Sequence, residues 1–550
     1  MNLILKYKFL IPVVVISSIS VISLLSSGLP PTHDGEYHVL RFYQFNKAFM
    51  DGNLYPRWAP DFNNGYGIPL FNFVYPLPNY VASFFHFLGF EFIESFKLNM
   101  ISATLIGAVG MYLFARRYFG ELGGVVSSVF YSFSPYHLLD IYVRGSVGEV
   151  WSLAIAPCLM WSYLNFFESK KNVYLILSAV FLALLVYSHN ILALVFFGFF
   201  IAYVLFLIFY SKRKKEDFKN LFLIIFTGLG LAAPFWLPAL AEIKFVVGLA
   251  VFDPTAHFPA IYKLIYSSWG YGFSGTDVPD QMSFQIGIAN LIALFGSIIV
   301  FYITKNKTVL FFIILFVFTI FLITSFSTLL WKNISIFSYI QFPWRLLSLA
   351  ILLVSFLAGS LVWDRLFKKK EKLQIIIVAF LILLSVVLSI NYAKAPFYHK
   401  RTDNHYLTRP NFTDGTNSPG NAFNTIWFNQ NLRKTEKLIN LDKSEYKIIS
   451  NKAEAKRIET LTNEDKITTL NIAYFPGWEV KVNNRKVPVS PSKDGLIRFQ
   501  LPKNKNTIDI SFEDTPIVKS AKIIFAASIM FLSLLMIFKS NTIKKKNPVK

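Results

Sequence analysis

Long apolar runs separated by short basic loops dominate this chain, and most runs match the length of a membrane-crossing helix. Hydropathy marks about thirteen of them. One, Val74 to Phe90, is interrupted by Pro76, Pro78, Asn79 and His86. If it crossed the bilayer, Arg116-Arg117 and every later basic loop would fall outside. Laid along the outer interface, it leaves Arg116-Arg117, Lys170-Lys171, Lys212 to Lys219, Lys305 to Lys307 and Lys368 to Lys372 on the cytoplasmic side, as the positive-inside bias requires. The pattern therefore predicts twelve spans with both termini cytoplasmic: about 9–28, 97–115, 121–138, 150–168, 172–188, 191–210, 220–239, 286–304, 308–326, 345–363, 373–391 and 517–538.

The predicted outer face carries the loop 29–96, the short Asp140-to-Glu149 loop, an aromatic and glycine-rich stretch at 245–285, and a polar block at 392–516. That block is long enough to bury its own core. Trp478-Glu479-Val480-Lys481-Val482 alternates, Asn483-Asn484 signals a turn, and Gly495 to Leu501 and Thr507 to Phe512 alternate again. Short strands at this spacing predict a small β-sandwich. The expected organisation is thus a polytopic α-helical membrane domain over 1–391, an extracytoplasmic β-rich domain over 392–516, and a final helix with a basic tail over 517–550.

Composition agrees. Of 550 residues, 54% are hydrophobic, and there are 58 Phe and 27 Tyr. The net charge of +22 would suit a nucleic-acid partner, but the lysines sit in short inter-helix loops and in the Lys544-to-Lys546 tail, so no nucleic acid is expected. Cys158 is the single cysteine, which excludes an intramolecular disulfide and a cysteine metal cluster. The first apolar run lacks a small-residue cleavage site and reads as a membrane helix rather than a signal peptide.

Candidate chemistry concentrates at the outer face. His33-Asp34-Gly35-Glu36-Tyr37-His38 follows the first span, and charged groups so near hydrocarbon usually persist for function. His137, Asp140, Arg144 and Glu149 flank the next short outer loop, His189 and Asn190 end the fifth span, and Arg345 opens the tenth. Asp34 is the candidate base, with His33, Glu36 and His38 beside it; it could equally cap the following helix. Arg144 and Arg345 lie outside against the charge bias, which suits phosphate binding, with Glu149 and His189 nearby; the arginines could also anchor helix ends at headgroups. His33, Asp34 and His38 could hold a divalent cation, although their spacing matches no strong metal motif. Trp269 and Tyr271, within Trp269-Gly270-Tyr271-Gly272-Phe273-Ser274-Gly275, offer rings that could stack on a sugar, in a glycine run without the context of a nucleotide loop.

The run Thr32 to His38, with Asp51-Gly52-Asn53-Leu54-Tyr55-Pro56-Arg57-Trp58, Gly65 to Pro69 and Phe73 to Pro76, resembles the bacterial 6-pyruvoyl-tetrahydropterin synthase-related membrane proteins. The tail from Tyr474-Phe475-Pro476-Gly477-Trp478 to Phe512-Glu513-Asp514-Thr515-Pro516 is similar to YfhO-like membrane proteins. Both groups are similar to GT-C glycosyltransferases, which use polyprenyl-phosphate sugars. Arg116 to Gly120 and Ser134 to His137 also look like the second and third spans of that fold. The resemblance implies that Asp34, in the first outer loop, is catalytic. The lipid-phosphate residues of that superfamily have no clear equivalent here, so Arg144 and Arg345 rest on position alone.

The expected function is transfer of a sugar from a polyprenyl-phosphate carrier to an extracytoplasmic glycan, lipid or protein acceptor, at the plasma membrane. The rivals are a transporter or flippase of polyprenyl-linked glycans and a non-catalytic envelope-assembly protein. Polar groups gathered at one face, rather than at the midplane, disfavour transport.

Overall fold

The computed structural model describes residues 8–248, 253–275, 280–368, 370–408 and 421–537. Lys369, the Lys544-to-Lys546 tail and parts of the 245–285 and 392–516 segments lie outside these residues. Six helices are long and apolar enough to cross a membrane: Phe92–Phe119, Val147–Ser169, Asn190–Phe209, Pro343–Leu366, Glu371–Tyr392 and Pro516–Ile537. Two further pairs, Lys214–Leu231 with Ala233–Phe245 and Lys307–Ile323 with Ser325–Asn333, are bent by 73° and 81°. Leu10–Ile19, Asn172–Ser188 and Ile288–Thr304 are apolar but shorter. By length the described residues hold six spans, or eight with the bent pairs, against the twelve expected.

The shortfall has local causes. Over 121–138 the helix stops at Ser132, because Ser134 precedes Pro135 and is extended at φ −61°, ψ 129°. A short Pro135–Leu139 helix and a π-helical turn at Asp140–Arg144 follow. This irregular backbone is wholly buried in protein, where it is tolerated at membrane depth. Pro234 and Pro238 lie inside the bent Lys214–Glu242 helix. The 74–90 segment forms only the 11-residue helix Leu77–Phe87, about 16 Å long at 1.5 Å per residue and too short to span.

Small residues let the central helices approach. A Cβ on Gly110 would lie 2.6 Å from Cys158 Sγ, so the Phe92–Phe119 and Val147–Ser169 helices pack backbone to backbone, with the lone cysteine buried in the seam. At one end of the bundle the basic loops are tied together by Arg117–Glu168, Lys170–Asp217 and Arg116–Glu121 ion pairs.

The C-terminal block forms two antiparallel sheets. Strands β1 (Tyr446–Asn451), β2 (Ala455–Thr462), β8 (Asn504–Phe512), β4 (Trp478–Val482) and β5 (Arg485–Val487) make one, in that order; β3 (Lys466–Ala473), β7 (Leu496–Leu501) and β6 (Ser490–Pro491) make the other. Asn483 and Asn484 both take positive φ, 50° and 65°, which closes the tight β4–β5 hairpin. The 29–96 loop completes this core. Trp58 meets Trp478 edge-on at 5.2 Å, and the Arg57 and Trp58 amides donate to Glu454 Oε1 at 2.7 and 2.9 Å.

Candidate functional site

The 29–96 loop is clamped to the π-helical turn. The His33 and Asp34 amides donate to the carbonyls of Val143 and Arg144 at 3.0 and 2.9 Å. Gly145, at φ 64°, passes beneath Thr32, where a Cβ would fall 2.3 Å from Thr32 Oγ1. Asp34 occupies the N-cap position of the Gly35–Met50 helix, yet its side chain makes no capping bond. Thr32 Oγ1 instead accepts from the Gly35 amide at 3.1 Å. Asp34 lines a cavity of about 480 Å³, and among the described residues its carboxylate meets no hydrogen-bond donor.

Arg144 and Arg345 stand on the wall of the same cavity. Arg144 Nη1 reaches Asp140 Oδ1 and Glu149 Oε2, each at 2.5 Å, and its Nη2 reaches Glu149 Oε1 at 2.7 Å. Arg345 donates through Nε to Glu149 Oε1 at 3.2 Å and through Nη1 to Gln341 Oε1 at 2.5 Å and the Ile340 carbonyl at 3.1 Å. Both carboxylates are 0% exposed, against 7% and 11% for the arginine side chains. Two acids therefore sit behind two guanidinium groups, which balances charge that burial alone would forbid. Trp344 packs under both arginines, with ring-to-guanidinium distances of 4.8 and 5.8 Å. Gln341 is held at φ 66°, an uncommon conformation for a residue other than glycine.

Histidines and aromatic rings form the rest of the wall. His33 Nε2 donates to the Tyr271 carbonyl at 2.8 Å, and its ring lies 4.5 Å from Phe273. Burial lowers its pKa, opposed by the Tyr271 carbonyl and by Asp34. His38 is stacked near Phe42 and Phe96, and burial holds it well below the ordinary imidazole range. His189 accepts through Nδ1 from the Ile191 and Leu192 amides, both at 3.2 Å, and so caps the Asn190–Phe209 helix beside Tyr75.

The cavity thus gathers His33, Asp34, His38, Arg144, His189 and Arg345, with Glu149 bonded behind them. Glu36 is not on its wall. Trp269 stacks instead on Tyr392 at 4.4 Å, and Tyr271 supplies its backbone to His33; Phe273 and Ser274 of the same loop reach the cavity. Sequence reading missed Arg41, Tyr75 and His257. Arg41 had a signal, since it lies two helical turns beyond Asp34 on one face. Tyr75 and His257 had none, because loop packing alone brings them in. Among the described residues, no three His, Cys, Asp or Glu side chains converge to hold a metal ion.

Three comparisons bear on kinship. An uncharacterized protein of Lactococcus lactis subsp. cremoris (strain MG1363) is 25% identical over 230 residues, covering 39% of this chain and 38% of that protein. The chain thus spans well under half of that relative. Among solved structures, arabinofuranosyltransferase AftD from Mycobacteria superposes with a TM-score of 0.46 at 14% identity, covering 71% of this chain and 27% of AftD. The Archaeoglobus fulgidus oligosaccharyltransferase gives 0.43 at 10%, covering 73% and 56%. ArnT from Cupriavidus metallidurans bound to undecaprenyl phosphate gives 0.39 at 15%, covering 68% and 63%. The family model for the bacterial membrane protein YfhO matches residues 425–546. The model for the 6-pyruvoyl-tetrahydropterin synthase related domain, a membrane protein family, matches residues 71–393, more than half of the sequence, and the chain belongs to that family.

Proposed function

We propose that this protein is an integral-membrane glycosyltransferase that moves a sugar from a polyprenyl-phosphate carrier to an acceptor outside the cytoplasm, with both termini cytoplasmic. The observation that carries this reading is the Asp34 carboxylate, free of any capping bond, in one cavity with the buried Arg144 and the half-buried Arg345. The likeness of the first outer loop to that of GT-C glycosyltransferases supports it.

In this reading Asp34 takes the proton of the acceptor hydroxyl as its oxygen bonds to the anomeric carbon. The bond from that carbon to the carrier's phosphate oxygen breaks, and the phosphate leaves with one more negative charge. Guanidinium groups placed where that charge develops lower the barrier. Arg345 is the principal donor, because among the described residues its Nη2 meets no acceptor. Arg144, with both Nη atoms on carboxylates, positions the wall. His33 and His38 shape the pocket around Asp34, and Phe273 offers a ring to the sugar or acceptor.

The test is Asp34→Asn in protein reconstituted with labelled polyprenyl-phosphate sugars and envelope extract. Loss of glycosidic product with carrier binding retained supports the assignment; near-normal turnover removes it. Movement of labelled carrier across sealed vesicles without product would favour a flippase.

A further inference from the structure

A second, smaller cavity of about 160 Å³ opens where the Gly35–Met50 helix and the Trp58–Tyr66 turn meet the β1–β2 end of the sandwich. Four lysines line it, with the carboxylates of Asp61 and Glu436. Lys47 is neutralised by Asp61 at 2.8 Å, and Asp61 also accepts from Gln44. The other three ammonium groups meet only uncharged acceptors among the described residues. Lys437 donates to the Leu441 carbonyl and Lys452 to the Asp51 carbonyl, each at 3.3 Å. Lys456 donates to Asn451 Oδ1 and the Lys452 carbonyl, both at 2.7 Å.

Neutral acceptors satisfy an ammonium's geometry without balancing its charge, and four ammonium groups against the carboxylates of Asp61 and Glu436 leave the lining net positive. Desolvation and the charge of Lys47 bring Lys456 down to about 8 against the opposing pull of Asp61 and Asp51, so it is still mainly cationic at neutral pH. An ammonium also has three N–H donors, and Lys456 commits two. The volume is that of about five waters at roughly 30 Å³ each, room for a phosphate group with a short carbon stub.

We propose that this cavity binds a phosphate-sized oxyanion, the end of a phosphate ester, between Lys437, Lys452 and Lys456. The oxyanion would draw the β1–β2 edge toward the first outer loop and stiffen the outer cap at a place separate from Asp34. Its source is either a lipid headgroup or a soluble phosphate.

The full chain in phosphatidylcholine nanodiscs, titrated with inorganic phosphate against chloride at matched ionic strength, gives a saturable rise in thermal midpoint. Lys456→Met weakens the apparent affinity about tenfold or more, the value of one charge-assisted hydrogen bond. A Lys437→Gln, Lys452→Gln double variant, which spares the sandwich core, does the same and decides the matter should Lys456→Met misfold. A parallel series in nanodiscs containing phosphatidylglycerol, without added phosphate, reads the headgroup source. Lysine-dependent protection in either series supports the site; no rise in both, or a rise unchanged in the variants, overturns it. The readout needs no turnover, so it stands apart from the transferase reading.

Discussion

Arg345 reaches Glu149 across 196 positions of sequence, its Nε 3.2 Å from the same Oε1 that accepts Arg144 Nη2 at 2.7 Å. One fully buried carboxylate therefore sets the spacing of two guanidinium groups that come from different helices. Glu149→Ala leaves both arginines short of counter-charge and should cost about 3–5 kcal/mol of stability. Glu149→Gln keeps an acceptor in place and should lose less. Thermal unfolding in one detergent ranks the two; equal midpoints for Glu149→Ala and the parent would show that the cluster is not held as described.

Asp34 and Thr32 should separate in their effects. Thr32 supplies the oxygen that caps the Gly35–Met50 helix, so Thr32→Val should cost about 1 kcal/mol. Asp34→Ala removes no capping bond and should shift stability by less than about 0.5 kcal/mol, while lowering transfer by about 10²-fold or more. Midpoints and initial rates measured on the same preparations check both. A stability loss at Asp34 as large as that at Thr32 would mark it as a cap.

Gly145 is the hinge on which Asp34 is mounted. Its φ of 64° and the 2.3 Å approach of a Cβ to Thr32 Oγ1 leave no room for alanine. Gly145→Ala should cost at least about 1 kcal/mol and push the first loop away from Val143 and Arg144. Faster amide exchange at His33 and Asp34 would register the shift; exchange like the parent's would contradict it.

Acidification should loosen the packing around His38. The His38 pKa in the folded chain lies well below its unfolded value near 6.5, because burial penalises the imidazolium. Its contribution to stability is therefore complete above pH 6.5 and is lost progressively as pH falls below that value toward the folded pKa. The thermal midpoint should drop over that window, and His38→Phe, placed near Phe42 and Phe96, should flatten the slope. An equally steep slope in the variant would assign the effect to other groups.

Membrane class, the β-rich tail and the cluster around Asp34 were all legible without coordinates, because each rests on local pattern. Apolar runs of helical length state the solvent they prefer. Alternation from Trp478 onward and the Asn483-Asn484 pair state a hairpin through backbone sterics alone. Strands β1 to β3, β5 and β6 were not recognised: β1 buries no residue, and in β2 and β3 Thr460, Thr462 and Thr468 face inward while Leu461 and Ile467 face outward, which blurs the period.

Tertiary structure decided what no window of residues contains. Whether Asp34 caps a helix or faces a cavity turned on Thr32 reaching the amide first. Whether Arg144 and Arg345 share a wall turned on Glu149, whose Oε1 accepts from both although they lie about two hundred residues apart. Whether the 29–96 loop reaches the sandwich as well as the bundle turned on Trp58 meeting Trp478. Hydropathy and turn chemistry act between neighbours, so they are written along the chain. Charge compensation and close packing act through space, so only the folded chain assigns their partners.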